Sequence, residues 1–318
     1  MHRGETVITP TIPRIVIVGS INMDLVARMA RLPRPGETVH GDSLQSIPGG
    51  KGANQAVAAA RLGAHVTMIG RLGDDAFGDE LRKSLTSSGV ITDHIITTEG
   101  CSSGVALIGV DATGTNSIVV IGGANARLSP ADVESLSAVI ALADVLVVQL
   151  ETPVETVAAA LRLARQHCVK TILDPAPAPT QPLPEDVRVV DIISPNQTEA
   201  EALTGLVVSD IATAEQAAHG LLNQGAREVV MKLGELGALV CDAAGQTCHV
   251  LAGKARIVDT TAAGDAFTAG MAVALAEGRG LIDAARFGCA AGTLACTVFG
   301  AQPAMPTRPE VDEFMHAK

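Results

Sequence analysis

The sequence predicts an α/β fold: a doubly wound, mostly parallel sheet flanked by helices, with a small antiparallel β lid. Three observations predict it. Short β-branched runs alternate with helical patterns from residue 14 onward, as in a parallel sheet with crossover helices. Most of the helical patterns close on glycine, the usual helix end. Two stretches, 22–48 and 101–126, interrupt the alternation with β-rich sequence.

In chain order, "MHRGETVITPTIP" lacks the apolar core of a signal peptide, and residues 1–12 are expected to form a loose tail. "RIVIVGS" is the first buried strand, and 22–48 the first lid insertion. "NQAVAAARLGA", "VTMIGRLG" and "DELRKSLTSSG" read as helix, strand and helix. "GVALIGVDATGTNSIVVIGG" reads as a hairpin turning at "DATG". "PADVESLSAVIALA" reads as one helix, followed by "DVLVVQLE", "ETVAAALRLARQ", "KTILDPAP" and "DIISPN" as alternating strand and helix. "AEQAAHGLLNQG", "REVVMKLG" and "DAFTAGMAVALAEG" continue the series. Neither insertion could keep its apolar residues in water alone, so together they are expected to form a lid over a site or a partner subunit. With no internal repeat or low-complexity linker, one domain over residues 14–310 is expected.

Composition excludes several classes of function. The chain of 318 residues is 47% hydrophobic, enough for a sizeable core, and no apolar run approaches the roughly 18 residues of a membrane span. Six cysteines at 101, 168, 241, 248, 289 and 296 show neither a CxxC pair nor a paired His spacing. Free thiols in a cytoplasmic protein fit that pattern better than a zinc site. A formal charge of -11 disfavours a nucleic-acid surface, and with 2% aromatics and no Trp or Tyr, base stacking along a strand is disfavoured too. Any anionic ligand must be held locally.

Open α/β sheets bind ligands beyond the carboxyl ends of their strands, so chemistry is sought there. "GSINMDLV" places Asn22 and Asp24 after the first strand, where Asp24 is either a hydroxyl acceptor or a turn-forming Asx residue. "PGGKGANQAVAAARLG" offers glycines before a helix but lacks the GxxxxGK[ST] spacing of a Walker A loop. Lys51 and Asn54 could read adjacent sugar hydroxyls, or the segment is an ordinary turn with a solvated lysine. Glu151, in "VVQLETP", is either a helix N-terminal residue or a ligand contact. Asn196 and Glu199 have the spacing of a capping box, and locally capping is the stronger reading; beside a phosphate the same pair could organise a hydrated Mg²⁺. "KLGELG", 232–237, is a backbone loop or a hairpin turn. In "TTAAGDAF", Asp265 stands at a helix start that is also the best anion site of the chain.

These pieces, in this order, resemble the ribokinase family of sugar kinases from about residue 14 to residue 306. "GSINMD", "PGETVHGD", "GGKGANQAVAAARLGA", "GVALI", "QLE", "SPNQTEAEALTG" and "DTTAAGDAF" carry the resemblance. It implies a ribokinase-like fold and ATP-dependent phosphorylation of the ribose 5-hydroxyl, giving D-ribose 5-phosphate and ADP. It also implies a homodimer whose β lids clasp each other, with Mg²⁺ required and K⁺ activating. Residue by residue, it puts Asn22, Met23, Asp24, Gly50, Lys51, Gly52, Ala53, Asn54 and Glu151 around the sugar. Asp265 becomes the catalytic base, with Ala263 and Gly264 in the anion hole. Asn196 and the loop Lys232, Leu233, Gly234, Glu235, Leu236 and Gly237 fall beside the nucleotide, with Cys289 near it. Glu199 falls near Mg²⁺, through water. Asp259, Thr261, Ala295, Val298, Gly300 and Ala304 match the K⁺ loop, where backbone carbonyls would be the main ligands. Lys232 and Cys289 depart from the Thr and His that the family often carries. "TAAGD" replaces the frequent "TGAGD", though Gly264 is retained, and Ala304 stands where serine is common.

A helix N-terminus favours an ionised carboxylate, so Asp265 is expected to stay deprotonated at neutral pH and to accept the hydroxyl proton. Met23, between Asn22 and Asp24, is expected to reach the C2 side of the sugar, which makes 2-deoxyribose the nearest alternative substrate. A reading of another class is a non-catalytic sugar-binding regulator, against which Gly264 and Asp265 both argue.

Overall fold

The computed structural model describes residues 12–317, so the tail expected over 1–12 lies outside the described residues except for Ile12. The chain opens with β1 (Arg14–Val18), whose alternate residues are buried against opposite layers of the fold. β2 (Asn22–Met29) and β3 (Gly41–Gly49) form the first insertion, and α1 (Lys51–Arg61), β4 (His65–Gly73), α2 (Ala76–Ser87) and β5 (Ile95–Thr98) follow. The second insertion is β6 (Gly104–Val110) and β7 (Asn116–Ile121), turning at 111–115 as the "DATG" signal predicts. Then come α3 (Pro130–Glu134), α4 (Ser137–Ile140), β8 (Val145–Gln149), α5 (Val154–Gln166), β9 (Lys170–Asp174), α6 (Glu185–Arg188) and β10 (Ile192–Ile193). The rest is α7 (Gln197–Thr204), α8 (Ile211–Asn223), β11 (Glu228–Lys232), β12 (Ala238–Cys241), β13 (Thr247–Val250), α9 (Ala263–Ala276), α10 (Leu281–Ala295) and α11 (Arg308–His316).

The main sheet has the order β13-β12-β11-β10-β9-β8-β1-β4-β5. Its pairs from β5 across to β11 are parallel, whereas β12 and β13 add an antiparallel hairpin at one edge. From β1 the chain first winds outward through β4 and β5, then returns to the other side of β1 as β8 and winds away through β9, β10 and β11. The winding direction therefore reverses between β1 and β8, and a crevice opens beyond their carboxyl ends. Ile15 and Ile17 pack with α1, α9 and α10 on one face, Val16 and Val18 with α5 and α8 on the other. Such two-sided burial is why β8 and β9 read as nearly continuous apolar runs.

One expectation is refined and another is corrected. The lid is a four-stranded sheet in the order β3-β2-β6-β7, and its two antiparallel hairpins are joined through a parallel β2–β6 pair. The single helix expected over "PADVESLSAVIALA" is broken into α3 and α4. There the Ser135 hydroxyl donates to the Asp132 carbonyl at 2.7 Å, a local bond that competes with helix continuation. The edge hairpin β12–β13 and the helices α10 and α11 had no expectation attached.

Candidate functional site

The crevice at the β1–β8 reversal gathers the first group of candidate residues. Gly50 has φ 89°, and a Cβ there would stand 2.6 Å from the Asn22 amide nitrogen, so only glycine lets α1 start this close to β2. The Lys51 amide donates to Glu151 Oε2 at 3.2 Å, and the Ser20 hydroxyl donates to the same oxygen at 2.5 Å. Glu151 therefore ties the β1 end to α1, and it does not cap α5, whose N-cap is Pro153. Asn22 Oδ1 accepts from Asn125 Nδ2 at 2.7 Å. Burial, then the nearby Glu151 and Asp265 carboxylates, push the Asp24 carboxyl up to about 7, with Lys51 opposing. Burial pushes the Lys51 ammonium down, but Asp265, Glu151, Asp174 and Glu199 outweigh it and hold its pKa above the ordinary lysine value.

Met23 points elsewhere. It is fully buried in the core cluster, on the opposite side of β2 from Asn22 and Asp24. Ala53 is likewise core, and it and Gly52 can contribute only backbone.

Asp265 stands in the first turn of α9, where no side chain supplies a cap and Ala262 precedes the helix in the left-handed conformation. Asn54 Nδ2 donates to its Oδ2 at 3.0 Å and Gln55 Nε2 to its Oδ1 at 3.1 Å. The expectation that the helix start governs this carboxyl is overturned in its cause. Burial raises it to about 6 against the pull of Lys51, with Asp174 adding to the rise and the amides of Asn54 and Gln55 opposing it. At neutral pH it is still mainly ionised. Asn54 Oδ1 is buried and has no hydrogen-bond partner among the described residues, an acceptor that suits a ligand hydroxyl.

A cavity of about 970 Å³ runs from Lys51 and Asp265 past Gly264 and Lys232 to Asn196, Glu199 and Cys289. The Asn196–Glu199 pair forms the capping box at the start of α7. Asn196 Oδ1 accepts from the Glu199 amide at 2.8 Å, Glu199 Oε2 accepts from the Asn196 amide at 2.7 Å, and both residues also line the cavity. Burial raises the Glu199 carboxyl, Lys232 opposing and Asp174 reinforcing. "KLGELG" is likewise both things, the β11–β12 hairpin connection and cavity wall, through Lys232, Gly234, Glu235 and Gly237. Leu233 is buried and Leu236 is 40% exposed, both outside that lining.

Beside the α9 start, two segments are clamped together. Asp259 Oδ1 accepts from the Thr261 amide at 3.0 Å and hydroxyl at 2.7 Å, and Oδ2 from the Gly300 amide at 2.9 Å. Burial raises the Asp259 carboxyl, but these bonds outweigh it and hold it below the usual range. The Val258 and Asp259 amides both donate to the Cys296 carbonyl, next to Ala295. Val298 is 47% exposed, and Ala304 is buried in a single 3₁₀ turn. Among the described residues no group of three or more His, Cys, Asp or Glu is arranged to hold a metal. A divalent ion here needs phosphate and water oxygens beside Glu199, and a monovalent ion needs carbonyls beside Asp259.

Sequence reasoning missed two buried side chains. Asp174 ends β9 and pairs through Oδ1 with Lys232 Nζ at 2.7 Å. Gln55 Nε2 donates to Asp174 Oδ2 at 2.9 Å as well as to Asp265, and Gln55 Oε1 accepts from Gln149 Nε2 at 2.6 Å. Both carried a signal. Asp174 is a carboxylate at a strand end, like Asp24 and Glu151, and Gln55 follows Lys51 by four residues, on one helix face with Lys51 and Asn54.

A doubly wound sheet with buried carboxylates, amides and a lysine at its reversal, and an uncapped helix start beside a buried acid, defines the class of α/β proteins with a polar site at the switch point. The chain belongs to the pfkB family of carbohydrate kinases, whose model matches residues 13–308. It is 42% identical over 302 residues to a ribokinase of Haemophilus influenzae, covering 95% of this chain and 98% of that one. It is also 38% identical over 253 residues to a deoxyribokinase of Salmonella typhi, covering 80% and 82%. Among solved structures it resembles Arabidopsis thaliana ribokinase complexed with ribose and ATP, with TM-score 0.89, 33% identity and coverage of 96% and 99%.

Proposed function

We propose that this chain transfers the γ-phosphoryl group of ATP to the 5-hydroxyl of D-ribose, giving D-ribose 5-phosphate and ADP, with Asp265 as the base. The observation that carries the reading is Asp265 itself: buried, fixed by Asn54 and Gln55, and set at an uncapped helix start on the cavity shared with Lys232 and Glu199. Asn22, Asp24, Lys51, Asn54 and Glu151 hold the sugar hydroxyls, and the orphaned Asn54 Oδ1 gives that role a specific acceptor. The hydroxyl oxygen bonds to the γ-phosphorus while the bond from phosphorus to the β–γ bridging oxygen breaks, and the hydroxyl proton passes to Asp265. Phosphoryl transfer has a loose transition state, so positioning and charge stabilisation dominate. First-turn amides around Ala263 and Gly264 face the transferred group, an interaction worth about 3 to 4 kcal/mol per donor in other enzymes.

Glu199 would hold a nucleotide-bound Mg²⁺ through water, and that ion would supply charge neutralisation at the phosphates. The loop of Asp259, Thr261, Ala295, Val298, Gly300 and Ala304 would hold K⁺, mainly through backbone carbonyls. One kinase domain over 14–310 acts in the cytoplasm as a homodimer joined through its lid. Supporting the dimer, Ile118, Val119, Val120 and Ile121 are all exposed on β7 although they alternate between its two faces.

A second reading, 2-deoxyribose as the substrate, is favoured by the similarity to a deoxyribokinase. A coupled ADP-release assay across pentoses, hexoses and nucleosides tests the assignment. The expected result is the highest kcat/KM for ribose, and a higher value for 2-deoxyribose reassigns the substrate, since a site built to bind a hydroxyl discriminates strongly against its absence.

A further inference from the structure

Lys232 and Asp174 form an ion pair at 2.7 Å, with side chains only 12% and 2% exposed. Stability alone is a poor reason for such a pair, because desolvating two charges offsets most of their attraction. Its location supplies a better one. Lys232 is the last residue of β11, and its backbone amide donates to the Pro195 carbonyl at 2.8 Å, which fixes it beside the Asn196 turn. A Cβ on Gly264 would lie 3.8 Å from Lys232 Nζ, so the ammonium stands against the first turn of α9. An ammonium has three donors, and with one given to Asp174 two remain for the cavity. Asp174 is itself over-determined, since its Oδ2 accepts from Gln55 Nε2 at 2.9 Å and from the Thr268 hydroxyl at 3.3 Å. The second Gln55 hydrogen goes to Asp265.

We propose that Lys232 is a phosphate ligand in the transfer reaction and that Asp174 and Gln55 are positioning residues, one buried network fixing both the phosphate-site cation and the catalytic base. The proposal rests on the kinase reading. It adds what that reading leaves open, namely a cation supplied by the chain beside the amides of α9 and the buried acid that aims it.

The test compares the wild-type chain with Lys232→Met, Asp174→Asn and the double variant. The double variant removes both charges together and so leaves no unpaired buried ion. Calorimetric titration with ADP in EDTA, and separately with adenosine, isolates the phosphate contribution without any metal. In the two Lys232→Met proteins, ADP should bind at least about tenfold more weakly while adenosine binding is unchanged, as expected for loss of a charge-assisted bond. Their kcat should fall at least about tenfold with KM for ribose unchanged. Asp174→Asn should lower kcat while keeping ADP affinity within about threefold, because the ammonium remains but is no longer aimed. If the folded double variant keeps the wild-type ratio of ADP to adenosine affinity, Lys232 is only a structural partner of Asp174 and the proposal is overturned. Unchanged kcat in Asp174→Asn removes the positioning role. A wild-type chain that phosphorylates no sugar would sink the kinase reading instead, while the ADP-to-adenosine ratio still decides the phosphate ligand.

Discussion

Asp265 is subject to opposed influences, and the stronger one is not the helix on which it stands. Burial raises its carboxyl to about 6, whereas Lys51 and the amides of Asn54 and Gln55 favour the ionised form. The sign for catalysis follows directly: the base is available above about pH 6 and is lost as the pH falls through it. The acid limb of the kcat/KM profile, which reports the free enzyme, should therefore lie near pH 6, and a profile flat down to pH 4.5 would exclude Asp265 as the titrating base. Asp265→Asn should keep the fold and most of the sugar affinity but lose at least roughly a hundredfold in kcat, as for other missing general bases. Near-normal turnover in that variant would remove the assignment. At this scale the sequence was informative where a residue belongs to a contiguous motif, as Asp265, Asn54 and Lys51 do. It was silent on Asp174, because the partners that give that carboxylate meaning lie 58, 94 and 119 residues away in the chain. It did not show that Met23 is fully buried, which strand alternation and the packing of β2 decide together.

Among the elements, the contrast between two helix starts is the most informative. α7 is closed by the Asn196–Glu199 box, whereas α9 begins without any side-chain cap. A closed start stabilises its own helix, and an open one leaves amide donors for an anion. The segment ahead of α9 is held by Asp259 to Gly300, so the position of the open start depends on the clamp beneath it. Exchanging K⁺ for tetramethylammonium at constant ionic strength should lower the turnover of the purified protein, and turnover indifferent to the cation would remove the monovalent site. Strands and amphipathic helices were legible because their apolar periods are local properties of the sequence. The break between α3 and α4 was not, since it depends on where the Ser135 hydroxyl finds its acceptor. Nor was the parallel join between the two lid hairpins, since nothing within either insertion specifies the partner strand of the other.

For the whole molecule, the order of winding explains why the site lies where it does. Reversal between β1 and β8 opens the crevice, and the first lid strand, β2, leaves from the same end of β1. The overall plan could be read from alternation alone, but the exposed apolar edge of the lid is a property only of the folded chain. Sedimentation should give twice the chain mass, and Val119→Lys and Val120→Lys, which place a charge on each face of β7 in turn, should between them yield at least one monomer. A wild-type monomer at micromolar concentration would refute the clasp.

The Gln55 amide has one tolerable orientation, because its oxygen accepts from Gln149 and the opposite flip would aim that oxygen at two carboxylates. The chain of hydrogen bonds from β8 through α1 to β9 and α9 therefore has a fixed polarity, set when the protein folds. On the roles proposed for Asp265 and Lys232, the arrival of sugar and nucleotide would need no dipolar reorganisation of either group, so that part of the activation barrier would be met in advance, during folding.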